Sequence, residues 1–246
     1  MTKILRKSFK SIEYNFELLE LIHIDIFDFK GILTRGGNHC FITFIGNFFK
    51  YSYVFLMKHK SKAFEKFIIF LKEVENKTSK KIKGFKVIGV WNMVLLILII
   101  LFNLMIVYKV IALYSPSSKG AVGRKNKTLI YLVNLMFISI SAPKMFCGEA
   151  VLSVNFILNR IPYKTSILTL YELCRGYELK LDFLRVWVYL SFVKLYDPKR
   201  PKLGKLLLVF FLGYSLNSKA YRFFDLDNKT IIESIDAIFH GKKNSF

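Results

Sequence analysis

The sequence predicts an α/β region followed by a small β-barrel. Three observations lead there: β-rich runs and one amphipathic helix fill the first third, further amphipathic segments fill the middle, and short β-rich runs separated by turns occupy everything after Leu184. At 246 residues the chain is long enough for a medium domain and a small one, each with a core of its own.

The first run, "LELIHIDIF" (Leu19 to Phe27), interleaves Ile and Leu with polar residues and reads as a strand ending near Asp25. "CFITFIGNFFKYSYVFLMK" follows, with two β-rich runs flanking Gly46-Asn47, which is a hairpin pattern. Ser61 is placed to cap the next helix, where Phe64, Phe67, Ile68 and Leu71 make an apolar stripe and Lys62, Glu65, Lys66 and Glu73 stay solvated.

From Val87 to Val107, "VIGVWNMVLLILIILFNLMIV" runs 21 residues without a charge. Its length suits a membrane span, and a buried core helix is a second reading. "SPSSKG" (Ser115 to Gly120) is loop chemistry, after which Leu129, Leu132, Val133 and Met136 mark a helix. Pro143 separates that helix from another carrying Ala150, Val151, Val154, Ile157 and Leu158, and Pro162 stops the second. The runs "LRVWVYLSFVKL", "KLLLVFFLGY", "AYRFFDLD" and "TIIESIDAIF" then suggest a barrel, and the strand spacing of Trp187, Tyr221 and Phe223 favours packing in the core or the barrel over stacking on bases.

Composition narrows the partners. The chain is 53% hydrophobic and 22% charged, which excludes intrinsic disorder. Its 38 Lys and Arg against 17 Asp and Glu give a net charge of +21 and point to a polyanion, either nucleic acid or an acidic membrane surface. An A/T-rich gene is the alternative source of the Lys, Phe, Ile and Asn richness. Cys40, Cys147 and Cys174 lack Cys-x-x-Cys spacing, and His23, His39, His59 and His240 are scattered, so no zinc site and no disulfide framework is expected. "MTKILRKSFKSIEY" is basic without an apolar h-region, so no secretory signal is read and a reducing compartment is expected.

Several of these stretches occur together in an order with its own meaning. "LELIHIDIF", "CFITFIGNFFKYSYVFLMKHKSKAFEKF", "EVENKTSKKIK", "RKNKTL", "GEAVLSVNFILNRIPYKT", "LYEL", "FLGYSLNSKAYRFFD" and "NKTIIES" resemble the integrase of copia-type LTR retrotransposons, from near Met1 to Phe239. The resemblance implies a basic lead over residues 1–14, a degraded ribonuclease-H-like integrase core over 15–175 interrupted by the apolar segment 87–114, and an SH3-like β module over 183–240. It also implies Mg²⁺-dependent joining of DNA strands, DNA as partner and a nuclear location. In such a site two Asp and one Glu hold two Mg²⁺ ions, because paired metals that clamp the attacking and leaving oxygens need several oxygen ligands.

Only one of those carboxylates is present. Asp25 in "HIDIF" matches the first Asp. The family's Glu lies in Gly-Val-Ala-Glu-Arg, where this chain has "GAVGRKN" with Gly123 at the Glu position. The second Asp belongs about 35 residues earlier, which lands near Ile88. Glu149 and Glu172 match other parts of the pattern. The expectation is therefore a catalytically dead remnant, with Asp25 as a vestigial metal ligand and no functional Mg²⁺ pair. Weak, nonspecific DNA binding would use the basic clusters Arg124, Lys125 and Lys127 and Lys199, Arg200 and Lys202, each of which has ordinary solvation as its alternative. A single-span membrane protein anchored by 87–107 is the competing reading.

The landing point gives the apolar run a third origin. Codons for Lys86 to Met93, read from the third base, permit Ser-Asp-Arg-Gly-Val-Glu-Tyr, with the Glu forced by Trp91 and Asn92. On this reading residues from Val87 to about Tyr114 are out-of-frame sequence in a decayed element. Genomic DNA across codons 86 to 115 is the check. A continuing integrase pattern one frame away is expected, and stop codons or an unrelated reading would contradict the origin.

Overall fold

The computed structural model describes residues 21–46, 51–78, 81–88, 107–111, 121–162, 169, 171–172, 178–194, 206–216 and 218–239. The lead 1–14, the stretch with Lys199, Arg200 and Lys202, Cys174, and most of the apolar segment lie outside them.

Strands β1 (Ile22–Asp28), β2 (Cys40–Gly46) and β3 (Ser52–Met57) form an antiparallel meander. Helix α1 (Ala63–Thr78) then crosses to β4 (Gly84–Ile88), which pairs parallel with β1, and β5 (Val107–Ile111) adds parallel to β4. The sheet order is β3-β2-β1-β4-β5. Alternation along β1 explains the layering. Ile22, Ile24 and Ile26 pack with α1, while Phe27 joins Phe41 and Val54 under α2 (Ala121–Ile140) and α3 (Cys147–Leu158) on the other face.

The α1 layer is closed by aromatic contacts. Phe44 stacks on Phe70 at 4.2 Å between ring centroids, and Phe67 meets Phe85 edge-on at 5.0 Å. The buried side of α1 is Ala63, Phe67, Phe70, Leu71 and Val74, with Phe64 and Ile68 at its margin. That is the expected stripe rotated by part of a turn. Ser61 is not an N-cap: Lys60–Lys62 form a 3-10 turn that leads into α1, and no side chain caps that turn.

The second sheet is antiparallel in the order β10-β6-β7-β8-β9, from β6 (Leu190–Lys194), β7 (Leu206–Tyr214), β8 (Tyr221–Asp225), β9 (Ile231–Ser234) and β10 (Ala237–Phe239). This is the expected barrel. Val193, Leu207, Val209, Phe211, Tyr214 and Phe223 fill it. Trp187 packs in the core as expected, but off the expected strand: it sits in a turn before β6, buried against α2 and α3.

The two ends of the apolar run lie in strands, which is at odds with the single-helix readings. One helix from Val87 to Val107 would hold its ends about 30 Å apart. Instead Gly84 lies opposite Val107 and Val87 opposite Val110 in neighbouring strands. Among the described residues no helix is long and apolar enough to cross a membrane.

Burial sets the stability expectation. Phe44→Ala should cost about 3–5 kcal/mol in urea denaturation, because it removes a fully buried ring from the α1 layer. Ile138→Ala, at a position 77% exposed on α2, should stay within about 0.5 kcal/mol.

Candidate functional site

Asp25 sits in β1 on the face that meets α2. Its Oδ1 accepts the Ile26 backbone N–H at 2.9 Å, and its Oδ2 accepts an N–H of the Asn126 amide at 3.2 Å. Half-buried, the carboxyl rises from its ordinary value of 3.8 to about 6; burial is the main cause, and the hydrogen bonds from Ile26 and Asn126 pull the other way. The Thr43 hydroxyl donates to the Asp25 carbonyl at 3.4 Å and ties this residue to β2.

The other two positions come close to it. β1 and β4 run in parallel register with Ile24 opposite Val87, so the next step brings Asp25 level with Ile88. Gly123 lies in the first turn of α2, three residues before Asn126, and residues at that spacing share a helix face. The three backbone positions that the sequence resemblance assigned to carboxylates therefore lie toward one corner of the sheet, even though the expected interruption falls between the first and the last.

Their chemistry does not converge. Asp25 faces an amide, Gly123 has no side chain, and Ile88 is not a ligand. Among the described residues no group of three His, Cys, Asp or Glu side chains stands ready for a metal. A pair of Mg²⁺ ions needs shared and separate oxygen ligands, so the described residues at this corner do not fit that cofactor.

The basic cluster divides. Arg124 and Lys127 are exposed on either side of Asn126. Lys125 is half-buried, and its Nζ donates to Asn159 Oδ1 at 3.1 Å. Asn159 in turn belongs to a buried network: its amide donates to the Ser52 carbonyl at 2.7 Å, and the Ser52 N–H returns to its Oδ1 at 3.0 Å. Asn155 reinforces this by donating to the same carbonyl at 3.1 Å and accepting the Ser52 hydroxyl at 2.5 Å.

Glu149 and Glu172 serve elsewhere. Glu149 is buried on α3, where Arg222 of β8 meets it at 3.0 Å; burial raises its carboxyl, Arg222 pulls it back, and Glu233 pushes it up again. Glu172 accepts the Thr169 N–H at 2.7 Å while Thr169 Oγ1 accepts the Glu172 N–H at 3.1 Å, a reciprocal capping box. Sequence reasoning missed Asn126 and the Ser52 network. Asn126 had a usable signal, since "RKNKTL" sets one neutral amide three residues after the empty Glu position.

Residues 189–246 match the model of the retroviral polymerase SH3-like domain. The chain is 27% identical over 238 residues, 95% of its length, to the "Retrovirus-related Pol polyprotein from transposon TNT 1-94" of Nicotiana tabacum. It is 25% identical over 213 residues, 82% of its length, to the corresponding polyprotein from transposon RE1 of Arabidopsis thaliana. It spans only 18% and 14% of those two proteins. Among solved structures, a chain in the simian T-cell lymphotropic virus intasome complexed with PP2A regulatory subunit B56 gamma is similar, with TM-score 0.52, 14% identity, and coverage of 92% of this chain and 80% of that one. That likeness is one of fold, ribonuclease-H-like in the first sheet and SH3-like in the second.

Asp25 gives a pH test. Its folded value of about 6 lies above the ordinary 3.8, so protonation favours the fold: the stabilisation is complete below about pH 3.8 and is lost as pH rises through about 6. Asp25→Asn should therefore be more stable than the natural chain in urea denaturation at pH 8, with the gap closing by pH 4.

Proposed function

We propose that this chain, which resembles the integrase region of a retrotransposon Pol polyprotein, is an integrase-derived DNA-binding protein without strand-joining activity. One observation carries the reading: Asp25, the one carboxylate at this corner among the described residues, is held by the Asn126 amide at 3.2 Å, one turn after Gly123. A carboxylate held this way accepts hydrogen bonds but cannot organise an in-line displacement between two metal ions. The positions are kept while the ligands are gone.

Binding to DNA rests on charge. Arg124 and Lys127 are exposed beside the site, and Lys199, Arg200 and Lys202 follow β6 in sequence. With a net charge of +21 and no base-reading motif in view, the binding is nonspecific and driven by counterion release. A nuclear location goes with that partner and belongs to the same proposal. The membrane alternative is not favoured, since the ends of the apolar run are adjacent strands.

A salt series separates the roles of the three basic residues. Arg124→Ala and Lys127→Ala should each reduce the log–log salt slope of DNA affinity by about 1. Lys125→Met should leave the slope unchanged and lower stability by about 1–2 kcal/mol, because it strips a charged donor from Asn159. A flat slope in the natural chain, or binding to anionic vesicles alone, would contradict the DNA reading.

Strand-transfer assays with Mg²⁺ or Mn²⁺ test the other half. No joined product is expected from the natural chain or from Gly123→Glu, which supplies two carboxylates in all. Joining by either, abolished by Asp25→Ala, would overturn the proposal.

A further inference from the structure

Helix α3 is enclosed: residues Cys147 to Asn155 are nine buried positions in a row. One side of the helix faces the first sheet and α2. The opposite side meets β7 and β8, and there the contacts are specific rather than merely apolar. Glu149 pairs with Arg222 at 3.0 Å, and the Arg222 Nε reaches Glu233 at 3.5 Å. The Ser153 hydroxyl donates to the Leu212 carbonyl at 2.7 Å, and the Trp187 indole N–H donates to the same oxygen at 2.7 Å.

The barrel is built to allow this approach. The β7–β8 register shifts between Phe211 and Gly213, a bulge that leaves Leu212 out of the ladder so that its carbonyl can accept both donors. Gly213 has φ +151°, and a Cβ there would overlap Ser153 Oγ. Aromatic pairs close the seam at either end, with Phe156 stacked on Tyr214 at 4.1 Å and Phe146 edge-on to Phe224 at 5.0 Å. Arg35 lies 4.6 Å over the Phe224 ring, bringing the loop between β1 and β2 to the same junction.

We propose that α3 is a docking surface whose partner is the SH3-like module of the same chain, and that the two modules fold and move as one body instead of as a core with a tethered arm. This goes beyond the DNA-binding reading and does not depend on it. A bulge, a glycine that admits a serine, and a buried ion pair are costly features for a module that merely rests on its neighbour. Each has its counterpart on α3: Ser153 for the Leu212 carbonyl and Gly213, Glu149 for Arg222. Any nucleic acid on Arg124 and Lys127 therefore meets the barrel at a fixed angle.

The full chain tests this in a Trp91→Phe background, where buried Trp187 is the only tryptophan and reports the junction. Trp187 emission and far-ultraviolet circular dichroism should report one coincident urea transition. Arg222→Glu and Glu149→Arg should each lower its midpoint, and the exchanged pair Glu149→Arg/Arg222→Glu should recover at least half of the loss. Losses that simply add in the double variant, or two separate transitions in the parent chain, would overturn the proposal. Ser153→Ala is the milder probe should the charge variants fail to fold. Hydrogen exchange should quicken roughly tenfold in Cys147–Leu158 and Leu206–Tyr214 together; quickening of one segment without the other would also overturn it.

Discussion

A helix with nine consecutive buried residues has no solvent face on which to keep its polar groups, so each of them must find a partner in a neighbouring element. In α3 and its C-cap Asn159 those partners point in different directions. Asn155 and Asn159 bind Ser52 of β3, Lys125 of α2 binds Asn159, Ser153 binds the Leu212 carbonyl of β7, and Glu149 binds Arg222 of β8. Around them Phe41, Val54, Leu129, Val133, Trp187 and Leu212 form one continuous apolar cluster with the helix. The positions of α2 and of the second sheet both follow from satisfying this one helix.

That dependence explains how the site can keep its geometry without its ligands. α2 is held by Leu129 and Val133 in the core and by Lys125 at its start, none of which involves a carboxylate at position 123 or a metal ion. A glycine early in a helix costs at most about 1 kcal/mol relative to alanine, a sum that the packing of a 20-residue helix absorbs. On the proposed function, activity and fold are separable: without a carboxylate at position 123 the chemistry goes, while Asn126 holds Asp25 and the sheet corner persists.

Legibility followed physical range. The meander of β1 to β3, the helix α1 and the β-runs of the barrel were readable because alternation and helical spacing are local. Asp25 and Gly123 were readable through motif resemblance, and the register of β1 against β4 then brought Ile88 level with Asp25. What could not be read was long-range. The Ser52 hydrogen bonds to Asn155 and Asn159 join residues more than a hundred positions apart, with nothing in "KYSYV" to announce them. Trp187 sat in a β-rich run, and its burial at the junction depends on a bulge twenty-five residues later. In the apolar run, length alone favoured one long helix, whereas the β-branched residues of "VYKVI" suit an edge strand equally well once β4 is beside them.

Mn²⁺ binding followed by electron paramagnetic resonance tests the proposal that the positions of a two-metal site survive and its ligands do not. The natural chain should show no Mn²⁺ binding that depends on Asp25, whereas Ile88→Asp/Gly123→Glu should acquire binding that Asp25→Ala then removes. Asp25-dependent binding of Mn²⁺ in the natural chain, or its absence from a folded Ile88→Asp/Gly123→Glu variant, would show that this corner is not an emptied two-metal site.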